Sequence, residues 1–280
     1  WARRGIDGWR LDVPADIETE GFWEEFRERV RAVDPDLYLV GEIWDDGSAW
    51  VDAGTRFDGV MNYPITEAML RFAAAGRIDE EIVAPVNLTL APPLDAAGYA
   101  AAVAGHLEKH PWAAHLCNLN LLGSHDTARV RSMVAEDDDA VRLAVAMLMT
   151  FPGPPSVYYG DEIGMTGAHD PGCRAGFPWD RPGEWNTGLL EDYRALIALR
   201  HSAPALRRGA YRTLHAAGGL HVFAREHDGD TVVVAVNAGD TEATARLDAA
   251  PAERMWGEGT AVDGALTVPA RRAGVWSGRR

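Results

Sequence analysis

The sequence predicts an α/β fold, a wall of parallel barrel strands followed by a small antiparallel β-sandwich, on three observations. Three short apolar runs each end in polar residues: GIDGWRLD at 5–12, LYLVGE at 37–42 and LCNLNLLGSHD at 116–126. Segments of helical spacing separate them, as the crossover between parallel strands requires. Beyond about Pro204 the apolar pattern changes to period two, the mark of half-buried antiparallel strands.

The first run is too short for an independent helix and is bounded by Gly5, so it reads as a buried strand. Arg10 and Asp12, two residues apart, point to the same face of that strand. A guanidinium beside a carboxylate keeps the acid ionised, and an ionised, positioned Asp suits covalent or electrostatic chemistry. An Arg–Asp pair that merely ties a strand end to its neighbour fits the same residues at least as well. The second run ends in Glu42, followed by Ile43 and Trp44, and the third ends in His125 and Asp126. Three strands delivering polar groups at their C-terminal ends is the layout of a parallel-barrel enzyme.

Between these runs, 21–33 places Phe22, Phe26, Val30 and Val33 at helical spacing with charges on the other face. Phe57 to Val60 reads as a short strand leading into MNYP and a helix from about Thr66 to Ala75. The Pro-rich stretch 84–93 reads as loop, and helices follow at about 98–110 and 140–150. Val157 to Tyr159 supplies a fifth strand, the Gly/Pro/Asp-rich stretch 160–187 a long pocket-shaping loop, and Leu189 to His201 a closing helix. The strands of the second unit read as 220–226, 231–237 and a run around Thr244.

Composition bounds the partners. The chain has 280 residues, 47% of them hydrophobic, enough for one large core or one large and one small unit. Its 27 basic and 42 acidic residues give −15, which argues against nucleic acid and anionic membrane and is compatible with a neutral sugar. The longest apolar helical run, 140–151, contains Arg142 and is too short to span a bilayer. Cys117 and Cys173 make no disulfide framework; Cys117, inside an apolar run, reads as a small buried hydrophobe. The compartment stays open, with the cytoplasm favoured. No signal peptide is visible, an observation of little weight in a chain that begins with Trp1.

These three runs resemble the second, third and fourth signature regions of the α-amylase family of glycoside hydrolases, in that family's order. VYYGDEIGM at 157–165 and DPGCRAGFPWD at 170–180 are similar to the branch containing neopullulanases, cyclomaltodextrinases and maltogenic amylases. The resemblance implies the second half of a (β/α)8 TIM barrel, about strands 4 to 8, over residues 1–203, with a C-terminal β-sandwich over 204–280. The first signature region and the first three strands have no counterpart, so the chain is expected to be the C-terminal portion of a longer enzyme. Its own partner would then be the missing N-terminal half of its barrel, because an incomplete barrel leaves open edges.

Retaining hydrolysis of a glycosidic bond needs two carboxyl groups about 5 Å apart, one nucleophile and one acid that later acts as base. By resemblance Asp12 is the nucleophile, Glu42 the acid/base and Asp126 the third catalytic carboxylate. His125 is implied to bind the same sugar, Arg10 to orient Asp12, and Trp44 to wall Glu42. Trp44, Tyr63 and Trp179 offer aromatic faces on which sugars stack. Asp161 and Glu162, adjacent and so divergent on a strand, read as structural. His169, Asp170 and Cys173 fit no common zinc spacing, so no metal site is assigned. No cofactor is implied; the family leaves calcium open for the full-length parent, through residues of the absent half. Oligomerisation is also left open.

Pro14, Ala15 and Asp16 depart from the Ala-Asn-Glu run usual in that branch, which opens the choice among α-1,4, α-1,6 and cyclic substrates. The implied function is a retaining hydrolase of α-1,4-glucosidic maltodextrins and starch-like oligosaccharides, working through a glycosyl-Asp intermediate. A transglycosylase or trehalose synthase-like isomerase of the same family is one alternative. A non-catalytic incomplete-barrel fragment is another, and the isolated 280 residues are expected to act poorly or not at all.

Overall fold

A computed structural model describes residues 1–85, 87–248 and 251–278. Three parallel strands, β1 (Gly8–Leu11), β2 (Tyr38–Gly41) and β3 (Gly59–Val60), lie side by side in that order. Gly8 pairs with Tyr38 and Leu11 with Gly41, so β1 and β2 end level. The helix Phe22–Arg31 returns the chain between them. Its buried side is set by Trp23 and Val30, whereas Phe22 and Val33 are 39% and 40% exposed. The helix starts at a left-handed Gly21, which turns Trp23 rather than Phe22 inward to pack on Phe57, with ring centroids 5.2 Å apart.

The wall continues past β3, but without the two full strands expected at 116–126 and 157–159. Single parallel bridges, Met61 to Leu119 and Asn120 to Pro155, carry it instead. Backbone bonds persist at these bridges, from Leu119 N to Val60 O, Asn62 N to Leu119 O and Asn120 N to Pro154 O at 2.9 Å each, and side-chain amides add to them: Val60 N donates to Asn118 Oδ1 (3.0 Å), Asn62 Nδ2 to Asn120 Oδ1 (2.8 Å) and Asn120 Nδ2 to Pro152 O (2.7 Å). Pro154 and Pro155 have no N–H to offer a neighbouring strand. A Cβ at Gly59 would lie 2.2 Å from the Cys117 carbonyl oxygen, so only glycine permits this approach. Cys117 is itself only half-buried, and Cys173 is the buried cysteine.

The helices around the wall carry their own start signals. Tyr63–Ala73 begins earlier than its apolar spacing suggests because Pro64 fits the first turn. Ala96–Leu107, Asp138–Thr150 and Thr187–Ser202 are capped by the side chains of Asp95, Asp137 and Asn186, which accept backbone N–H bonds. Asp138–Thr150 is the central buried helix. The guanidinium of Arg200, 8% exposed, donates to the carbonyls of Met149 (2.9 Å) and Phe151 (3.0 Å) at that helix's C-terminal end, which would otherwise be orphaned.

After a short helix, Pro204–Arg208, the chain turns antiparallel. Strands β4 (Ala210–Ala217), β5 (Leu220–His227), β6 (Asp230–Asn237), β8 (Arg254–Gly257) and β11 (Arg272–Ser277) form a sheet in the order β4-β5-β6-β11-β8. A second sheet, β7-β10-β9, joins β7 (Ala243–Arg246), β9 (Thr260–Val262) and β10 (Ala265–Val268). Leu220, Val222, Val233, Ala235, Leu266 and Trp276 fill the space between the sheets. Phe223, Val232, Val234 and Val236 point the other way and join the core around helix Asp138–Thr150. Alternation along β5 and β6 therefore serves two cores at once, which is why both strands read as almost wholly apolar. No helix among the described residues is long and apolar enough to cross a membrane.

Candidate active site

The site forms where the parallel strands end. Asp12 follows β1 directly, and the Arg10 guanidinium pairs with its carboxylate through Nη1. Glu42 follows β2, its backbone N–H donating to Leu11 O at 3.0 Å, so the in-register pairing of β1 and β2 fixes both acids at one rim. Arg10 Nη2 stands 3.1 Å from Glu42 Oε2 and 3.9 Å from Asp126 Oδ2. Nη2 makes no hydrogen bond of acceptable angle, so these last two are close contacts without a hydrogen bond. One guanidinium thus faces all three carboxyl groups.

The acids differ in their surroundings. The Asp12 side chain is 79% exposed, open to an incoming ligand, while that of Glu42 is 5% exposed. Glu42 Oε1 accepts the indole N–H of Trp44 at 3.1 Å and Oε2 accepts the Val13 N–H at 3.0 Å. Val13 sits in the left-handed region, φ 33° and ψ 56°, an uncommon place for a β-branched residue. That turn aims its amide across to the neighbouring strand end.

Asp126 is held from three sides. His125 Nε2 lies 3.1 Å from Oδ2, Arg174 Nη2 donates to Oδ1 (3.2 Å), and the Asp126 backbone N–H donates to Ser124 Oγ (3.1 Å). Ser124 Oγ is also 3.1 Å from the Tyr63 hydroxyl. The Tyr63 and Trp44 rings stack at 3.8 Å with an interplanar angle of 4°. Tyr63 is only 1% exposed, so it backs Trp44 instead of presenting a free face. Burial pushes its phenol pKa up, which keeps it a neutral hydrogen-bonding group.

Asp161 and Glu162 lie behind the rim. Asp161 Oδ1 pairs at 3.1 Å with Arg129 Nη1, both groups almost wholly buried, and burial pushes the Asp161 carboxyl up to about 7 against the pull of Arg129. Glu162 accepts the Gly160 N–H at 2.7 Å. The Arg129 guanidinium also lies over the rings of Tyr158 and Tyr159, 4.3 and 4.6 Å from their centroids. This cluster clamps the 157–163 segment to the loop that carries Asp126. Asp170 pairs with Arg174 at 3.0 Å and Cys173 Sγ donates to His125 O at 3.3 Å. Among the described residues no group of three His, Cys, Asp or Glu side chains is placed to hold a metal ion.

The structure brings Arg10, Asp12, Glu42, Trp44, Tyr63, His125 and Asp126 into one contact network. Val13, Ser124 and Arg174 complete it, and Arg129 braces the segment behind, although no periodicity or spacing singles them out. Arg174 alone had a visible cue, its place in the polar run DPGCR.

Residues 1–191 match the family model of the alpha amylase catalytic domain, and residues 209–256 that of the alpha-amylase C-terminal domain. The chain is 42% identical over 239 residues to neopullulanase 2 of Thermoactinomyces vulgaris, covering 85% of this chain and 38% of that protein. It is 40% identical over 240 residues to a cyclomaltodextrinase of Geobacillus thermopakistaniensis, with the same coverages of 85% and 38%. The crystal structure of a debranching enzyme from Nostoc punctiforme superposes with a TM-score of 0.93 at 42% identity, over 99% of this chain and 59% of that one. The chain spans well under half the length of that neopullulanase and that cyclomaltodextrinase. With its acids at the ends of successive parallel strands and both family models matched, this chain belongs to the α-amylase family.

Proposed function

We propose that the chain supplies the acid-bearing part of a retaining α-glucan hydrolase that cleaves α-1,4 bonds of maltodextrins and related oligosaccharides. The observation that carries this reading is Arg10, which faces Asp12, Glu42 and Asp126 from the ends of adjoining strand segments. The Asp12 carboxylate attacks the anomeric carbon; the glycosidic C–O bond breaks, and the leaving oxygen takes the Glu42 proton. Water then attacks the glycosyl ester, returns a proton to Glu42 and frees Asp12. Asp126, steadied by His125, Arg174 and Ser124, accepts hydrogen bonds from sugar hydroxyls. Two carboxylates and water suffice for this sequence without a cofactor. The names neopullulanase and cyclomaltodextrinase among the relatives favour an α-glucan over other glycosides.

In this reading residues 1–203 bear the chemistry and 204–280 buttress it. β1 is an edge strand among the described residues, so one flank of Asp12 is uncovered. Efficient turnover accordingly requires further barrel strands beside β1. The test is covalent trapping in the full-length protein carrying Glu42→Gln, with an activated maltosyl fluoride as substrate. Mass spectrometry is expected to find the glycosyl adduct on the peptide containing Asp12. An adduct on another acid, or steady turnover with none, would overturn the assignment.

A further inference from the structure

The loop from Gly164 to Asn186 presents Trp179, which at 74% exposure is the most exposed large apolar side chain among the described residues. It is nonetheless fixed. Its ring packs on Phe177 at 4.1 Å between centroids, and Trp185 closes the trio at 5.5 Å from Phe177 and 6.3 Å from Trp179. The Trp185 indole N–H donates to Pro178 O at 3.1 Å, and Trp179 N donates to Phe177 O at 2.9 Å. An exposed tryptophan normally has rotamer freedom to lose on binding; here packing on its neighbours has already removed much of it.

The same loop is anchored at the acids. Arg174 Nε donates to His125 O at 3.0 Å while Nη2 reaches Asp126 at 3.2 Å. From Arg174 to Trp179 is five residues, no more than about 18 Å of chain at full extension. The charges flanking the platform satisfy one another, Arg181 pairing with Glu184 at 2.8 Å and Asp180 at 3.8 Å. What remains is an exposed indole, tilted 34° to the Phe177 ring that backs it, with a polar rim, on a protein of net charge −15. That combination suits the apolar face of a neutral sugar ring and disfavours an anion.

We propose that Trp179, backed by Phe177, forms a stacking platform for glucosyl units of an α-glucan chain lying beyond the units held at the acids. This rests on the α-glucan reading above. The platform lengthens the bound stretch of substrate and adds affinity for long chains over short ones.

The experiment is isothermal titration calorimetry of maltoheptaose into the full-length protein made inactive by Asp12→Asn. Trp179→Ala in that background is expected to raise the dissociation constant about tenfold, and Trp179→Phe by less than about threefold. Val262→Ala, at an exposed apolar residue of β9, serves as control and leaves affinity at the parent value. Matching thermal midpoints confirm that the variants are folded. Binding by the parent that Trp179→Ala changes less than twofold overturns the platform while leaving the α-glucan reading intact. No binding of maltoheptaose by the parent, together with no α-glucan turnover by the protein with Asp12 restored, overturns both.

Discussion

The backbone N–H of Val13 donates to Glu42 Oε2 at 3.0 Å, so the residue after one acid holds the next acid in place. A left-handed β-branched residue costs on the order of 1–3 kcal/mol, and here the strained turn directs that amide. Val13→Gly relieves the strain but frees the turn. Urea unfolding of this variant is expected to stay within about 1 kcal/mol of the parent, while kcat on maltotriose drops roughly tenfold from misplacement of Glu42.

The Arg129–Asp161 pair makes a second prediction. Both side chains are essentially buried, and Arg129 also covers two tyrosine rings. Removing one partner leaves a buried group uncompensated, so Arg129→Ala should cost about 3–5 kcal/mol in chemical denaturation. The raised carboxyl of Asp161 lets it become neutral near neutral pH, which places the loss at the low end of that range. A loss below about 1 kcal/mol would show that the clamp is not structural.

Acid sensitivity follows from three histidines. Burial lowers His106 to about 3, His115 to about 4 and His221 to about 3. Each stays neutral in the fold but protonates near 6.5 when unfolded, so the unfolded chain binds more protons and stability falls as pH drops below about 6.5. Asp161, raised to about 7, has the opposite sign: its contribution is lost as pH rises from the ordinary carboxylate range toward 7. Burial also raises Glu67 and Asp192, which act in the same sense as Asp161, and the three histidines outweigh them to give a net loss of up to ~3 kcal/mol per pH unit between about 6 and 4. Urea midpoints measured across that range check the slope.

His221 isolates one part of that slope. It is 0% exposed, neither ring nitrogen has a hydrogen-bond partner, and it packs among Tyr99, Tyr211 and Phe223. Replacing an unsatisfied polar ring by an apolar one should stabilise. His221→Phe is expected to gain roughly 2 kcal/mol at pH 5 and to flatten the acid slope by about half. Equal pH slopes in parent and variant would remove His221 from the account.

Much of the fold is legible in the sequence wherever local rules and tertiary packing agree. β1 and β2, the helices capped by Asp95, Asp137 and Asn186, and strands β5 and β6 lie where apolar period and capping residues place them. The 116–126 run misleads because only single bridged pairs, braced by asparagine side chains, continue the wall there. Phe22 and Trp23 both suit a helix face, and only the left-handed Gly21 decides between them. The short strands β8 to β10 carry too few alternations to stand out. At the site, the residues with chemistry at strand ends could be read, whereas Ser124 and Val13 act through geometry that no spacing encodes. Tyr63 reads as a sugar platform, yet its ring is spent on Trp44.

In the proposed mechanism Asp12 attacks and Glu42 donates, with retention. Time-resolved NMR of maltotriose cleavage by the full-length protein, beside its Asp12→Asn variant, tests it most directly. The α-anomer is expected to appear first, and the variant to lose about 10³-fold or more in kcat. A β-anomer appearing first, or near-parental turnover by Asp12→Asn, would contradict it.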